Sequence, residues 1–253
     1  MAIDLEPVGD ADHRTQSRGR PFEVLGETTH APIRRARGRI SDDVYDELSE
    51  AIRSLRLTPG TPLSEPAVAA WLQVSRAPVR EAFTRLADQR LVVIVPQVGS
   101  QVAPISMGEV EDAVFIRNAL EKSAFQQVIG FDDVDTTELQ HLVDRNRQAA
   151  VDQDAEEFFQ TDEELHQLVF ALAGVPRLWQ IVRGTKIHLD RLRRLNLGAA
   201  LGNTEIPGEH QAIVDAIAHR DEAGGLRVIH QHSNRIFTDT EKLRGEFPDY
   251  FVA

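Results

Sequence analysis

The sequence predicts a mostly α-helical protein, with an N-terminal winged helix-turn-helix and a C-terminal all-α antiparallel helical bundle. Three observations predict this fold class. Between residues 41 and 86, apolar residues recur at helical spacing in three segments, each opened by a serine. Two short apolar runs typical of strands follow, separated by a turn around Gly99. From Ser106 onward the apolar spacing is helical, interrupted by glycine, proline and capping residues.

The charge is distributed unevenly along the 253 residues, whose net charge is −12. Residues 31–106 carry ten arginines against eight acidic residues, whereas residues 107–253 carry 15 basic against 26 acidic side chains. A mildly basic unit joined to an acidic one fits a nucleic-acid reader whose second domain avoids nucleic acid.

Composition also excludes several classes of site. The chain has no cysteine, which excludes disulfides, thiolate nucleophiles and thiolate metal ligands. It has no apolar run of bilayer length and no signal-peptide apolar region near its start. We therefore expect a cytoplasmic protein with no membrane partner.

The first 39 residues are polar and lack helical or alternating periodicity, so they are expected to form a flexible N-terminal tail. The tail ends in a basic cluster, residues 33–39. This cluster would either contact phosphates or a minor groove, or be an ordinary solvated charged segment.

Two helices of the winged helix-turn-helix precede the helix that starts at Ser75. Ser41, followed by two aspartates, is expected to cap the first helix, and Leu57 to Gly60 form the turn that ends it. Ser64 opens the second helix, with Pro66 in its first turn.

The third helix starts at Ser75 as N-cap and has Pro78 in its first turn. Arg76 and Arg80 are one helical turn apart and share a face, while apolar residues occupy another face. Two arginines alone would most simply be a solvated surface. An arginine fork is also the group that binds guanine edges or phosphates through two hydrogen bonds. The strands 91–95 and 101–103 then complete a wing, so the predicted domain spans residues 40–105.

The N-terminal motifs resemble the DNA-binding domain of the GntR family of bacterial transcription regulators. The resemblance is carried by Leu57-x-Pro59-Gly60, Leu63-Ser64-Glu65, Val74-Ser75-Arg76-Ala77-Pro78-Val79-Arg80-Glu81-Ala82, Leu86, Leu91 and Gly99. It implies that Ser75, Arg76 and Arg80 contact double-stranded DNA and that Gly99 enters the minor groove with the wing. Four positions depart from the pattern: Pro66 replaces a frequent arginine, and Leu55, Gln73 and Arg90 replace usual glycines.

Six or more helices are expected in the second unit, residues 106–245, followed by a C-terminal tail at 246–253. Ser106 and Glu109 form a capping box that opens the first helix. The other helices are expected to begin at Asp135, near Glu156, at Pro176, at Pro207 and at Asp221; the fourth runs to about Gly198 and the sixth to Gly245. The adjacent glycines 224 and 225 weaken the last helix and suggest a mobile switch element.

Asp162 and His166 lie one turn apart on one helix, while His210 and His232 lie on two others. Three imidazoles and a carboxylate suit a divalent ion such as Zn²⁺, Ni²⁺ or Mn²⁺. A single helical histidine is more often a core or surface residue than a ligand. The remaining histidines are expected to be structural. His188 is the least certain of these, because the arginines on its helix, 191 and 194, would line the same cavity as the metal ligands.

The second unit resembles the ligand-binding domain of FadR-type GntR members, called FCD. The matching pieces are Arg117-x-x-Leu120-Glu121, Asp162-x-x-Leu165-His166, Glu209-His210, Asp221 and His232. The resemblance implies metal-ligand roles for Asp162, His166, His210 and His232. It also implies that Arg117 binds a small carboxylate effector; the alternative is that Arg117 only forms an ion pair with Glu121.

The sequence therefore predicts a homodimeric, nucleoid-associated transcriptional regulator, a repressor more readily than an activator. Its two third helices would bind an inverted-repeat operator under control of a carboxylate bound with the metal. Two other classes are weighed against it. A metal-dependent hydrolase with a DNA-binding appendage would use the same ligands, and an architectural DNA binder would have no sensor role. We expect the protein not to be an enzyme.

Overall fold

The computed structural model describes residues 39–95, 99–203 and 205–252. The predicted N-terminal tail and basic cluster fall outside the described residues, except for Arg39. The turn of the predicted wing, residues 96–98, also falls outside them.

The first unit contains three helices and a three-stranded antiparallel sheet. In chain order these elements are α1 (Ile40–Arg53), β1 (Pro62–Leu63), α2 (Glu65–Trp71), α3 (Arg76–Asp88), β2 (Val92–Val95) and β3 (Gly99–Val102). The strand order is β1-β3-β2, with Val92 opposite Val102 and Pro62 opposite Gln101. This confirms the predicted winged helix-turn-helix. Strand β1 was not predicted, because two residues are too few to show an alternating pattern.

The apolar stripes of α1 and α3 pack against each other as their spacing predicts. Val44, Leu48 and Ile52 of α1 and Phe83 and Leu86 of α3 are almost fully buried in one core. Burying such side chains stabilises each by roughly 1.5–3 kcal/mol relative to leaving it exposed. This contact ties the position of α3 to that of α1.

Of four local predictions in this unit, one is confirmed and three need correction or refinement. Ser41 is not the cap of α1, since the helix begins at Ile40 with Arg39 as its N-cap residue, and Ser41 is buried. Ser64 does cap α2, because its hydroxyl accepts a hydrogen bond from the backbone N–H of Ala67. Ser75 occupies the N-cap position of α3 without a side-chain cap bond. Strand β3 starts at Gly99 and ends at Val102, rather than spanning 101–103.

Three residues that stand where the family usually has glycine adopt left-handed backbone conformations. The φ angles of Leu55, Gln73 and Arg90 are 61°, 56° and 58°. A residue with a Cβ atom is strained in this region by about 1–2 kcal/mol. All three positions therefore adopt a backbone conformation that glycine would adopt with less strain.

We expect Gln73→Gly to raise the free energy of unfolding by about 0.5–1 kcal/mol. Glycine relieves the left-handed strain, and its greater freedom in the unfolded chain offsets part of that gain. Urea unfolding of the full chain measures the change. Gln73→Ala is the control, because it removes the same exposed side chain while keeping the strain. An equal gain in both variants would assign the effect to the side chain instead.

The second unit is all-helical, as predicted, but has more breaks than predicted. Its helices are α4 (Met107–Ile129), α5 (Thr137–Asp152), α6 (Ala155–Leu172), α7 (Pro176–Thr185), α8 (Ile187–Leu195), α9 (Leu197–Leu201), α10 (Glu205–His219), α11 (Glu222–Asn234) and α12 (Thr240–Glu246). Ser106 and Asp221 act as caps, each accepting a backbone hydrogen bond from three residues further on.

The predicted fourth helix is divided into α7, α8 and α9. The first break is at Lys186, whose ammonium group is fully buried between Glu163 and Asp190. The second is at Asn196, whose side chain binds Asp239. Polar side chains drawn into tertiary contacts thus interrupt a sequence whose local pattern favours one helix.

The predicted sixth helix and C-terminal tail also differ from the structure. The helix ends at Asn234 and is followed by a 3₁₀ turn, Arg235–Thr238, before α12 begins. Residues 247–252 are not a free tail, because Phe251 is buried and forms a bridge with Ile105. The backbone N–H of Ile105 donates to the Tyr250 carbonyl at 2.6 Å. The proposed boundary between the two domains, near residue 105, stays a prediction.

Gly225 permits close packing between α11 and α4, which argues against a mobile switch at the glycine pair. A Cβ atom at this position would lie 1.9 Å from Cζ of Phe125, which is itself fully buried. The glycine is therefore explained by contact with the bundle core. Gly224 follows the capping Asp221, whose carboxylate accepts its N–H at 2.9 Å.

We expect Gly225→Ala to lower the free energy of unfolding by about 1–3 kcal/mol, the usual cost of overpacking a core. Gly208→Ala in α10 is the matched control, because a Cβ there would meet no atom within 4 Å. That control should be neutral or stabilising by up to about 1 kcal/mol. Equal stability of the two variants in urea unfolding would show that Phe125 repacks freely.

Among the described residues, no helix combines the length and the hydropathy needed to cross a lipid bilayer.

Candidate functional site

The predicted DNA-contacting residues lie at the surface of the first unit. Ser75, Arg76 and Arg80 are exposed around the first turns of α3. Gly99 is exposed at the start of β3 and has a φ of 121°, a conformation that favours glycine. None of these four residues is needed to fill the core, so they are accessible to a ligand.

The guanidinium group of Arg80 is held by Glu65, a contact that sequence reasoning missed. Its Nε and Nη2 atoms donate to the two carboxylate oxygens of Glu65, each at 3.0 Å. The pair raises the pKa of Arg80 and lowers the pKa of Glu65. Glu65 therefore pairs with the arginine fork at the surface, and a base or phosphate that binds the fork would replace or share this exposed contact. Its place in the Leu63-Ser64-Glu65 motif was the only signal in the sequence.

The four predicted metal ligands come together inside the second unit. Asp162 and His166 project from α6, His210 from α10 and His232 from α11. One candidate ligand atom from each residue lies within 4.8 Å of the others. The Nε2 atoms of His166 and His232 are 3.2 Å apart, and His210 Nε2 is 3.3 Å from Asp162 Oδ1. The side chains are all 7% exposed or less.

Carboxylates outside the cluster orient two of these imidazoles. His166 Nδ1 lies 3.3 Å from Glu121 Oε1, and His232 Nδ1 lies 3.1 Å from Glu209 Oε2. A carboxylate accepts hydrogen bonds, so each Nδ1 carries the proton and each Nε2 presents a lone pair to the cluster. This is the tautomer that binds a metal ion.

The third imidazole is oriented by an amide. Asn146 donates its NH₂ group to the Phe158 carbonyl and to the Thr161 hydroxyl, both at 2.9 Å. Its Oδ1 therefore faces His210 Nδ1, at 3.3 Å. That contact requires a proton on Nδ1 and leaves Nε2 bare. His210 Nε2 is fully buried and has no hydrogen-bond partner, which is costly unless another group uses its lone pair.

The charge states suit a cation. Burial lowers the pKa of His166, and it lowers the pKa of His232 to about 3, so both imidazoles are neutral near pH 7. Burial alone would raise the pKa of Asp162. The nearby Arg193 guanidinium instead holds the pKa of Asp162 well below its ordinary value. A carboxylate and three imidazoles are a donor set that a divalent ion accepts.

Arg117 is a buried neighbour of this cluster. Its side chain is 5% exposed; Nε donates to Glu121 Oε1 at 2.6 Å, and Nη2 lies 2.6 Å from His166 Nε2. The predicted Arg117–Glu121 ion pair thus exists, and it lies inside the bundle. It does not exclude ligand binding, because Arg117 also lines a cavity.

A cavity of about 280 Å³ adjoins the cluster. Two candidate ligands, Asp162 and His232, form part of its wall, together with apolar residues of α6, α8 and α9. Three arginines also line it: Arg117, Arg193 and Arg235. The last two were not predicted. On α8 the sequence pointed to Arg191 and Arg194 as lining residues, but it is Arg193 that faces the cavity. His188 and Arg191 instead contact residues 103–106.

Two domain models match the chain. Residues 40–102 match the bacterial regulatory proteins of the gntR family, and residues 112–235 match the FCD domain. Both matches lie within the two units predicted from the sequence.

Proteins of similar sequence match most of the chain. An HTH-type transcriptional regulator in an unstable DNA locus of Streptomyces ambofaciens is 35% identical over 83% of this chain and 89% of that protein. The HTH-type transcriptional repressor RspR of Escherichia coli strain K12 is 31% identical over 84% and 93%. The solved structure of E. coli McbR/YncC has the same fold, with a TM-score of 0.66 and 19% identity over 83% and 99% of the two chains. The chain belongs to the GntR family of DNA-binding transcriptional regulators, in the group that carries an FCD domain.

Proposed function

We propose that the chain is a metal-dependent sensor of a small carboxylate that controls the binding of α3 to DNA. The observation that supports this most strongly is the orientation of the three imidazoles. Each has an oxygen acceptor at Nδ1, which leaves the proton off Nε2. The Nε2 atoms of His210 and His232 lie 3.3 and 4.0 Å from Asp162 Oδ1, and that of His166 lies 3.2 Å from His232 Nε2 and accepts from Arg117. The hydrolase alternative is set aside because the chain belongs to a family of transcriptional regulators.

In this proposal Asp162, His166, His210 and His232 hold one divalent ion of the zinc, nickel or manganese class. When bound, the ion would supply positive charge and an open coordination position for an oxygen of the effector. Glu121, Asn146 and Glu209 hold the imidazole rings in place. Such outer contacts typically contribute a factor of 10–100 in metal affinity.

The effector is proposed to be a small organic acid. Three arginines at the cavity offer planar forks that bind carboxylates through two hydrogen bonds. Two of them contact the cluster: Arg117 Nη2 lies 2.6 Å from His166 Nε2, and Arg193 Nη2 donates to Asp162 Oδ2. The polar groups Asn203 and Asp239 in the cavity wall would accept or donate hydrogen bonds to hydroxyl groups on the acid.

At the DNA side, Ser75, Arg76 and Arg80 would contact an operator, and Gly99 would bring the wing to the minor groove. We propose a homodimer that places two copies of α3 on an inverted repeat in the chromosome and acts as a repressor. An effector that prefers one arrangement of the domains would then change DNA affinity.

Elemental analysis of the purified protein, combined with mass spectrometry of the small molecules it releases on denaturation, tests the sensor. We expect about one divalent ion for each chain and a released organic acid. Titration of that acid should change the affinity of the protein for a DNA duplex selected from a random-sequence pool. Protein that neither carries nor takes up a divalent ion would contradict the proposal.

A further inference from the structure

Helix α8 contacts both units of the chain. Ile187 at its start is part of the core of the first unit. Leu189 and Arg193 line the cavity of the second unit. Between them, Asp190 is fully buried and lies 3.3 Å from the guanidinium group of Arg53, the last residue of α1. One short helix therefore joins the cavity to the DNA-binding unit.

A continuous line of ion pairs follows this route. It starts at the candidate ligand Asp162, whose Oδ2 accepts from Arg193. The remaining steps are Arg193 to Glu163 at 2.8 Å, Glu163 to Lys186 at 2.7 Å, Lys186 to Asp190 at 2.5 Å, Asp190 to Arg53 at 3.3 Å and Arg53 to Glu50 at 2.6 Å.

The line is shielded from solvent over most of its length. Lys186 and Asp190 are fully buried, and the side chains of Arg53, Glu163 and Arg193 are 13–16% exposed. A buried charge that loses its partner is strongly destabilising, so a change at one pair favours re-pairing along the line. Exposed pairs lack this property because water screens and replaces the lost partner.

We propose that this line, named here the α8 ion-pair line, transmits the state of the cavity to the DNA-binding unit. The inference rests on the proposed function. A divalent ion bound to Asp162 would weaken its pair with Arg193, and a carboxylate in the cavity would compete with Asp162 and Glu163 for the same guanidinium. Lys186, Asp190 and Arg53 then act as positioning residues, because their re-pairing moves α1 and with it α3. None of the three lines the cavity or belongs to the predicted DNA-contacting residues.

Contacts with the segment that joins the units support the same route. Arg191 donates to the carbonyl oxygen of Ala103 at 2.6 Å, and His188 Nδ1 accepts from the backbone N–H of Ser106 at 3.2 Å. Both side chains are buried on α8. A shift of α8 would therefore move this segment as well as α1, so that both connections made by α8 respond together.

Hydrogen exchange of the full chain with and without Zn²⁺ tests the proposal. In the wild type, Zn²⁺ should slow amide exchange in residues 155–172, which carry two ligands, and also in residues 40–53, by about fivefold or more. In Arg53→Met, the response of residues 40–53 should be lost while that of residues 155–172 remains. Asp190→Asn should behave in the same way, and Arg53→Lys should retain part of the response.

Glu109→Gln is the matched control. Arg90 and Glu109 also join the two units, at 2.6 Å, but Arg90 is 75% exposed and the pair lies outside the line. This variant should respond as the wild type does. A normal response of residues 40–53 in Arg53→Met, or the absence of any response there in the wild type, would overturn the α8 ion-pair line. Failure of Zn²⁺ to bind at all, measured by calorimetry, would instead overturn the proposed function and the inference with it.

Discussion

Replacing Arg80 by alanine is expected to abolish sequence-specific DNA binding while leaving the fold intact. A bidentate contact between arginine and a base contributes roughly 1–3 kcal/mol of discrimination. A homodimer on an inverted repeat would lose two such contacts, or about 2–6 kcal/mol. Because the Arg80 side chain is 71% exposed, its removal should hardly change the free energy of unfolding. Fluorescence anisotropy with a selected duplex and with random-sequence DNA measures both affinities.

Two variants make this result interpretable. Arg80→Lys keeps the charge but loses the fork, so non-specific affinity should remain while preference for the selected duplex falls. Arg85→Ala is the control on the same helix, since Arg85 lies in the last turn of α3, away from Arg76 and Arg80, and contacts Asp42 and the ring of Tyr45. It should bind the selected duplex nearly as the wild type does. Unchanged affinity in Arg80→Ala would remove Arg80 from the DNA interface.

The fold was largely predictable because it follows from local patterns. The spacing of Val44, Leu48 and Ile52 gives α1 its buried face, and Ser64 and Ser106 mark helix starts through their own side chains. The left-handed backbone at Leu55 and Gln73 was not predicted, because neither residue type favours it; the resemblance marked both only as replacements of usual glycines.

The parts that were not predictable depend on tertiary contacts. The break at Lys186 occurs because its ammonium group pairs with Glu163 on another helix, which no local pattern reveals. Likewise, the sequence could not choose among the arginines of α8. The break at Lys186 sets the rotation of the helix, and Arg193 rather than Arg191 then faces the cavity.

The candidate metal site contains both kinds of residue, those that could be predicted from the sequence and those that could not. The i, i+4 spacing of Asp162 and His166 placed them on one face, and resemblance supplied His210 and His232 on other helices. The residues that orient the rings, such as Asn146, carried no signal. Asparagine in a helix is ordinary, and its function depends on a neighbour 64 positions away.

Replacing His210 by alanine is expected to lower metal affinity by more than the factor of 10–100 typical of outer contacts, because it removes a ligand. The wild type at a zinc concentration of 100 Kd should gain about 2.7 kcal/mol in free energy of unfolding. His210→Ala should lose most of that gain at the same concentration. Urea unfolding with and without Zn²⁺ measures it, and elemental analysis gives the metal content of each protein.

Two comparisons separate loss of a ligand from loss of packing. His219→Ala removes the same side chain from the exposed end of α10 and should keep the full zinc gain. His210→Gln preserves most of the buried volume and still offers a polar group to Asn146, so it should stay folded while binding zinc weakly. Since both His210 variants lose the lone pair at Nε2 but differ in the space they fill, a shared loss of zinc stabilisation assigns the effect to coordination. Full zinc stabilisation in folded His210→Gln would instead mean that Asp162, His166 and His232 hold the ion without it.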